Sequence, residues 1–316
     1  MSLLTRISAF ENLWESFSEI ARKKKASPSV QRFLYNTGEQ LLGIEADLNA
    51  GRYKWGRYRE VSISTGKARS VFVPCLRDRI VQTAIYRVLN PFLEGRLLPI
   101  SYACRIGYGN SRAVLDVLDR LKNIGPQRFV IKLDVEKYYE NIPHDQLLHS
   151  ISKVFQDAAL TSLIRSLLDS HPNYRAAKCG LPVGLVTSQM LANWYLHDLD
   201  QAMSAAHGFG SYFRYMDDLL VVASNRECAH TILNQILDHT ERLGLKIPEH
   251  KRFYLGSEPV PFLGFVLSHQ GYVVNPRNEA RHRERVADLL EKRSPPSRIL
   301  RSKLSYESWT RLKYKT

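Results

Sequence analysis

Four residues, Tyr215-Met216-Asp217-Asp218, restrict what this chain can become more than any other stretch. Two adjacent carboxylates stand between the apolar runs Tyr212-Phe213 and Leu219-Leu220-Val221-Val222. Apolar runs broken by so short a polar gap predict two strands joined by a tight turn. Adjacent carboxylates held on a rigid hairpin repel each other, and a divalent cation relieves that repulsion while supplying Lewis acidity. Taken alone, the tetrapeptide fits an ordinary acidic hairpin tip equally well.

With 316 residues, 44% of them hydrophobic, the chain has material for one large domain or two modest ones. Its formal net charge is +14. The excess is uneven, with twelve Lys/Arg against five Asp/Glu from Arg277 to the end. Such a surface attracts polyanions, nucleic acid above all. Cys75, Cys104, Cys179 and Cys228 have neither paired spacing nor neighbouring histidines, so no zinc site or disulfide framework is expected, and a reducing cytoplasm fits. No leader or membrane span is expected either.

Phe10, Leu13, Phe17 and Ile20 recur at helical spacing before the cluster Arg22-Lys23-Lys24-Lys25, and a second helix is expected from about Val30 to Ala50. Tyr58 to Val73 alternates around Thr65-Gly66, which predicts a hairpin. Helices are expected at Val81–Leu93, at Ser111–Leu121 with Ser111 as cap, at Asp145–Phe155 and at Leu160–Leu168. Further helices are expected along the stripes Ala192, Tyr195, Leu196, Leu199 and Ile232, Leu233, Ile236, Leu237. Phe129 to Val135 reads as a strand in which Asp134 points away from Ile131 and Leu133. Strands and helices together imply an α+β or α/β core.

Asp134 lies some eighty residues upstream of the acidic pair. It reads either as a turn-capping acid or, if its strand lies beside the Tyr215 hairpin, as the third carboxylate of a metal site. Three converging acids suit two magnesium ions, one activating a 3′ hydroxyl and the other neutralising a triphosphate.

In order and spacing these motifs resemble those of reverse transcriptases over roughly residues 30 to 275. Leu133-Asp134-Val135-Glu136-Lys137-Tyr138-Tyr139 is similar to the first palm motif, which implies Asp134 and the Val135 carbonyl as metal ligands and Tyr139 as the bulky gate against a ribose 2′-OH. Tyr139 also fits a core tyrosine after a strand. Gly180 to Gln189 is similar to the second motif, with Val183 and Gly184 near template and incoming nucleotide and the Thr187/Ser188 hydroxyls as helix caps. Tyr215 to Asp218 is the third motif and implies Asp217 and Asp218 as catalytic metal ligands. Leu243 to Lys251 resembles the fourth, with Lys251 near the leaving pyrophosphate, and Val260 to Phe265 resembles the primer grip. Lys67 and Arg69 match the basic hairpin that clamps the triphosphate, and Arg77 to Gln82 the next block of the family pattern.

The resemblance implies a right-hand α+β polymerase with an antiparallel palm sheet flanked by helices. Residues 1–128 would be fingers with an N-terminal helical extension and part of the palm, 129–271 palm, and 272–316 a short basic thumb carrying Trp309 and Tyr314. It also implies an RNA template, a cDNA or primer strand, dNTPs, and Mg2+ as two ions with Mn2+ as a substitute. Val183 where the family usually has Gln, Gln189 where it usually has Pro, and Ser101-Tyr102-Ala103-Cys104-Arg105 are most similar to reverse transcriptases of diversity-generating retroelements. That type copies its RNA with errors at adenines and works with a small basic accessory protein. Basic patches near Lys23 and Arg281 to Arg285 read as docking faces or as plain solvated helices. Two alternatives stand beside this reading, a defence-associated bacterial reverse transcriptase using a non-coding RNA and a catalytically idle RNA-binding scaffold.

Overall fold

The computed structural model describes residues 2–65, 67–207, 210–249 and 252–312, with backbone alone at 63–65, 67–70 and 172. Two compact units are each assembled from separate stretches of chain. Met1–Leu97, Glu136–His197 and Arg242–Leu245 form the first, and Leu98–Val135, Asp198–Glu241 and Lys246–Thr316 the second.

In chain order the elements are α1 (Leu3–Ser8), α2 (Phe10–Lys23), α3 (Pro28–Leu34), α4 (Thr37–Asn49), β1 (Arg59–Thr65), β2 (Lys67–Val73), α5 (Leu76–Glu94), α6 (Asn110–Ile124) and β3 (Phe129–Asp134). Next come α7 (Tyr138–Asn141), α8 (His144–Phe155), α9 (Ala158–Leu168), α10 (Pro172–Ala177), α11 (Val186–Tyr195) and α12 (His197–His207). The chain continues through β4 (Tyr212–Tyr215), β5 (Asp218–Ala223), α13 (Arg226–Arg242), β6 (Arg252–Leu255), β7 (Val260–Phe262), β8 (Phe265–Ser268), β9 (Gly271–Val274), α14 (Pro276–Glu291) and α15 (Pro296–Thr310).

The first unit is mainly helical. α2 buries Leu13, Phe17 and Ile20, the stripe its sequence predicts, and packs on α5. The expected single helix over 30 to 50 is instead two, because Asn36 leaves helical geometry (φ −144°, ψ 47°) and the Thr37 hydroxyl donates to the Phe33 carbonyl. β1 and β2 pair antiparallel from Arg59↔Val73 to Thr65↔Lys67.

The second unit is built on a four-stranded antiparallel sheet of order β4-β5-β3-β6. Leu219 to Ala223 of β5 are all buried, which explains an apolar run without alternation. One core gathers Val130, Phe213, Leu220 and Val222 from this sheet, Ala113, Val114, Val117 and Leu121 from α6, and Val260, Phe262, Phe265 and Leu267 from the three-stranded antiparallel sheet β7-β8-β9. Packing of this kind holds β3 and β5 rigid up to the ends where the acids lie. The α+β architecture with an antiparallel sheet agrees with the sequence reading.

Two further local expectations are overturned. α6 begins after Gly109, whose φ of 101° suits glycine, so Ser111 sits inside the first turn and caps nothing. The stripe Ala192, Tyr195, Leu196, Leu199 crosses two helices, since Leu196 (φ −91°, ψ 9°) ends α11 before α12 starts. Among the described residues no helix is long and apolar enough to cross a membrane.

Candidate active site

β3 and β5 run antiparallel in a register that sets Asp134 directly opposite Asp218. Asp217 lies in the turn between β4 and β5, and its carbonyl accepts from the Val135 N–H at 3.2 Å. Met216 before it holds a left-handed φ of 57°, the conformation that tight hairpin turns demand of a turn residue. The register therefore brings Asp134, Asp217 and Asp218 to one end of one sheet.

Burial pushes the Asp218 carboxyl up from 3.8 to about 6. Lys132, 3.2 Å from its Oδ2, pulls it back down, and the charges of Asp134 and Asp217 raise it further. Oδ1 of Asp218 is buried with no hydrogen-bond partner. A desolvated carboxylate oxygen with nothing to accept from is a hard donor of the kind a divalent cation takes. Among the described residues no group of three or more His, Cys, Asp or Glu side chains is placed so that it could hold a metal ion. Magnesium needs only one or two protein carboxylates, since it keeps waters and substrate phosphates among its ligands. Lys132 was not singled out from the sequence, although it lies two residues before Asp134 and so shares its strand face. Its ammonium also donates to the Pro261 carbonyl at 3.2 Å, tying the site to β7.

Tyr139, Val183, Gly184, Lys67 and Arg69 lie in the first unit. Tyr138 is the core tyrosine, buried and donating to the Ala192 carbonyl at 2.5 Å, whereas Tyr139 is half-buried. The Tyr139 carbonyl accepts from Leu181 N at 2.6 Å, which ties it to the loop before α11. In that loop Val183 is half-buried and its carbonyl accepts from Phe72 N at 3.3 Å, so the loop lies along β2. Gly184 has φ 102°, and a Cβ there would meet Val71 Cγ1 at 2.5 Å, so glycine is required twice over. Thr187 and Ser188 do not cap α11 as expected. Both are buried inside it, where Thr187 Oγ1 donates to Gln82 Oε1 at 3.5 Å. Gly184, Leu185 and Val186 line a cavity of about 360 Å³ together with Lys23, Lys24, Arg79 and Gln82. Lys67 and Arg69 lie on β2, paired with Thr65 and Ile63. Lys251 and Tyr314 lie outside the described residues.

Sequence reasoning missed Arg214, which is fully buried between Phe213 and Tyr215 on β4. Its guanidinium forks onto Asp200, with Nε to Oδ1 at 2.7 Å and Nη2 to Oδ2 at 2.5 Å. The signal was a lone arginine in an otherwise apolar strand.

The reverse transcriptase (RNA-dependent DNA polymerase) family profile matches residues 57–267. Protein YkfC of Escherichia coli is 32% identical over 170 residues, covering 51% of this chain and 45% of the relative. The group II intron-encoded protein LtrA of Lactococcus lactis is 26% identical over 171 residues, covering 52% and 28%. The chain thus spans less than half the length of these curated relatives. Among solved structures, apo telomerase from Candida tropicalis matches with a TM-score of 0.52 at 13% identity, over 70% of this chain and 48% of that one. Telomerase from Candida albicans, in complex with a fragment of telomeric RNA, matches with the same TM-score of 0.52 over 72% and 48%. At such identity these two likenesses speak for the fold alone. The profile match covers about two thirds of the chain and holds every carboxylate of the site, so the chain belongs to the reverse transcriptase family.

Proposed function

We propose that the chain is an RNA-directed DNA polymerase that copies a dedicated RNA into cDNA by nucleotidyl transfer at Asp134, Asp217 and Asp218. The observation that carries this reading is the register of Asp134 against Asp218 with Asp217 in the adjoining turn. Asp134, Asp217, Asp218 and the Val135 carbonyl would hold two magnesium ions, or manganese in their place. The chemistry these ions supply when bound is a lowered pKa at the primer 3′ hydroxyl and charge neutralisation on the triphosphate. Asp218 offers its partnerless Oδ1 to that charge, and Lys132 holds its other oxygen in place. In this reading the β1–β2 hairpin, with Lys67 and Arg69, clamps the triphosphate. Tyr139 bars a ribose 2′-OH by volume. Residues 129–271 serve as the palm and 272–316 as the thumb, while the Lys23, Lys24 and Arg79 lining beside Gly184 suits a template backbone. The test is primer extension on RNA by Asp217→Ala. Synthesis is expected to fall by at least about 10³-fold while RNA binding persists, because basic side chains hold the polyanion. Undiminished extension would end the reading.

The subtype proposed is that of diversity-generating retroelements, on Val183, Gln189 and the Ser101 to Arg105 segment. A Gln side chain at 183 would hydrogen-bond near the nascent pair, whereas Val183 has no group to do so, and looser checking results. Val183→Gln is expected to lower misincorporation opposite template adenine several-fold, and equal error rates would count against the subtype. The similarity to LtrA favours one rival, an intron-type enzyme. Sequencing the RNA and cDNA that copurify with the protein separates the two.

A further inference from the structure

Arg214 and Asp200 are both wholly buried, and a buried ion pair of this kind contributes little net stability compared with apolar side chains of equal volume. Its placement suggests another use. Besides Asp200, the guanidinium reaches the Ser101 hydroxyl with Nη2 at 2.7 Å and the Met216 carbonyl with Nη1 at 3.4 Å. The backbone of Arg214 is pinned as well, its N–H donating to the Ile100 carbonyl at 2.8 Å and its carbonyl accepting from Tyr102 N at 3.0 Å. The Met216 carbonyl and the Asp217 N–H share one peptide plane, so a contact on that carbonyl orients the start of Asp217. On the far side of the same residue the Val135 N–H holds the Asp217 carbonyl. Between the Arg214 side chain and Asp217 stands Met216 at φ 57°, a conformation that costs free energy in a residue with a side chain and persists only when its surroundings over-determine it.

We propose that Arg214, locked by Asp200 and Ser101, is the positioning residue that holds the Met216–Asp217 turn and thereby sets the metal-binding geometry of Asp217 and Asp218. This role rests on the polymerase reading. The planar fork is essential, because it places two bonds on the Asp200 carboxylate while serving the Ser101 hydroxyl and the Met216 carbonyl, four bonds against the three an ammonium can donate.

The experiment begins with wild type and Asp217→Ala in primer extension on an RNA template. An inert wild type would sink the polymerase reading itself, independently of the role of Arg214. Arg214→Lys keeps a charge beside Asp200 but lacks the fork, and the double variant Arg214→Met with Asp200→Leu removes both charges at similar volume. For each, kcat per active site is read by burst titration, primer–template affinity by filter binding, and Mn2+ affinity by electron paramagnetic resonance without turnover. Expected are wild-type circular dichroism and RNA affinity, kcat lower by on the order of 100-fold, and Mn2+ affinity weaker by about 10-fold or more. A folded double variant with wild-type kcat and Mn2+ affinity overturns the proposal, since a purely structural pair would leave both untouched. Should the double variant fail to fold, Arg214→Lys decides on the same two numbers.

Discussion

Asp218 carries its charge against its surroundings. Its folded pKa of about 6 lies above the ordinary 3.8, so in the metal-free protein its contribution favours folding below pH 3.8 and is lost as pH rises through about 6. A shift of that size corresponds to roughly 2–3 kcal/mol at neutral pH. Asp218→Asn is therefore expected to raise the Tm of metal-free protein by several degrees at pH 7 and to change little at pH 4. Added Mg2+ should then raise the Tm of wild type but not of the variant. Thermal scans at the two pH values check this, and a variant less stable than wild type at pH 7 would contradict it. The acids themselves were legible because two adjacent Asp between apolar runs admit few explanations. Lys132 and Arg214 were not, because each acquires its role only from a partner on another strand or helix, Asp218 in one case and Asp200 in the other.

Among the elements, the turn into α11 shows how local geometry is enforced. Gly184 combines a φ of 102° with a β2 neighbour, Val71, too close for any Cβ. Valine is stiff about χ1 and has little freedom to retreat. Gly184→Ala is expected to cost about 1–3 kcal/mol and to displace the loop that carries Val183. Chemical denaturation together with dNTP KM measures both, and an unchanged midpoint would show that the loop yields. Periodicity identified α2, α8, α9 and α13 well, because each buries a single stripe. It failed at α11–α12, where apolar residues continue at helical spacing across Leu196 although the backbone turns there. Hydropathy records which side chains are buried, not whether one helix axis carries them. The caps expected at Ser111 and Thr187 failed for a related reason, since a hydroxyl inside a first turn looks the same in sequence as one just ahead of it.

At the scale of the whole molecule, a net charge of +14 governs association. RNA affinity is expected to fall on the order of 10³-fold between about 50 and 200 mM salt, as counterion release at several phosphates requires. Asp217→Ala should show the same salt dependence, because the acids take no part in holding the backbone. Filter binding across that range checks it, and a flat dependence would show that charge does not drive binding. Exposed cations on α14, Arg281, Arg283 and Arg285, contribute to that field. Composition alone determined this property, and sequence pattern determined the α+β class and the candidacy of Asp134, Asp217 and Asp218, because net charge, strand alternation and adjacent acids are local or additive. Only the tertiary structure decided that Asp134 faces Asp218, that Lys132 partners the latter, and that the buried Arg214 reaches Asp200 and the Met216 carbonyl. Those facts depend on strand register and burial, which join residues far apart in the chain and leave no periodic trace along it.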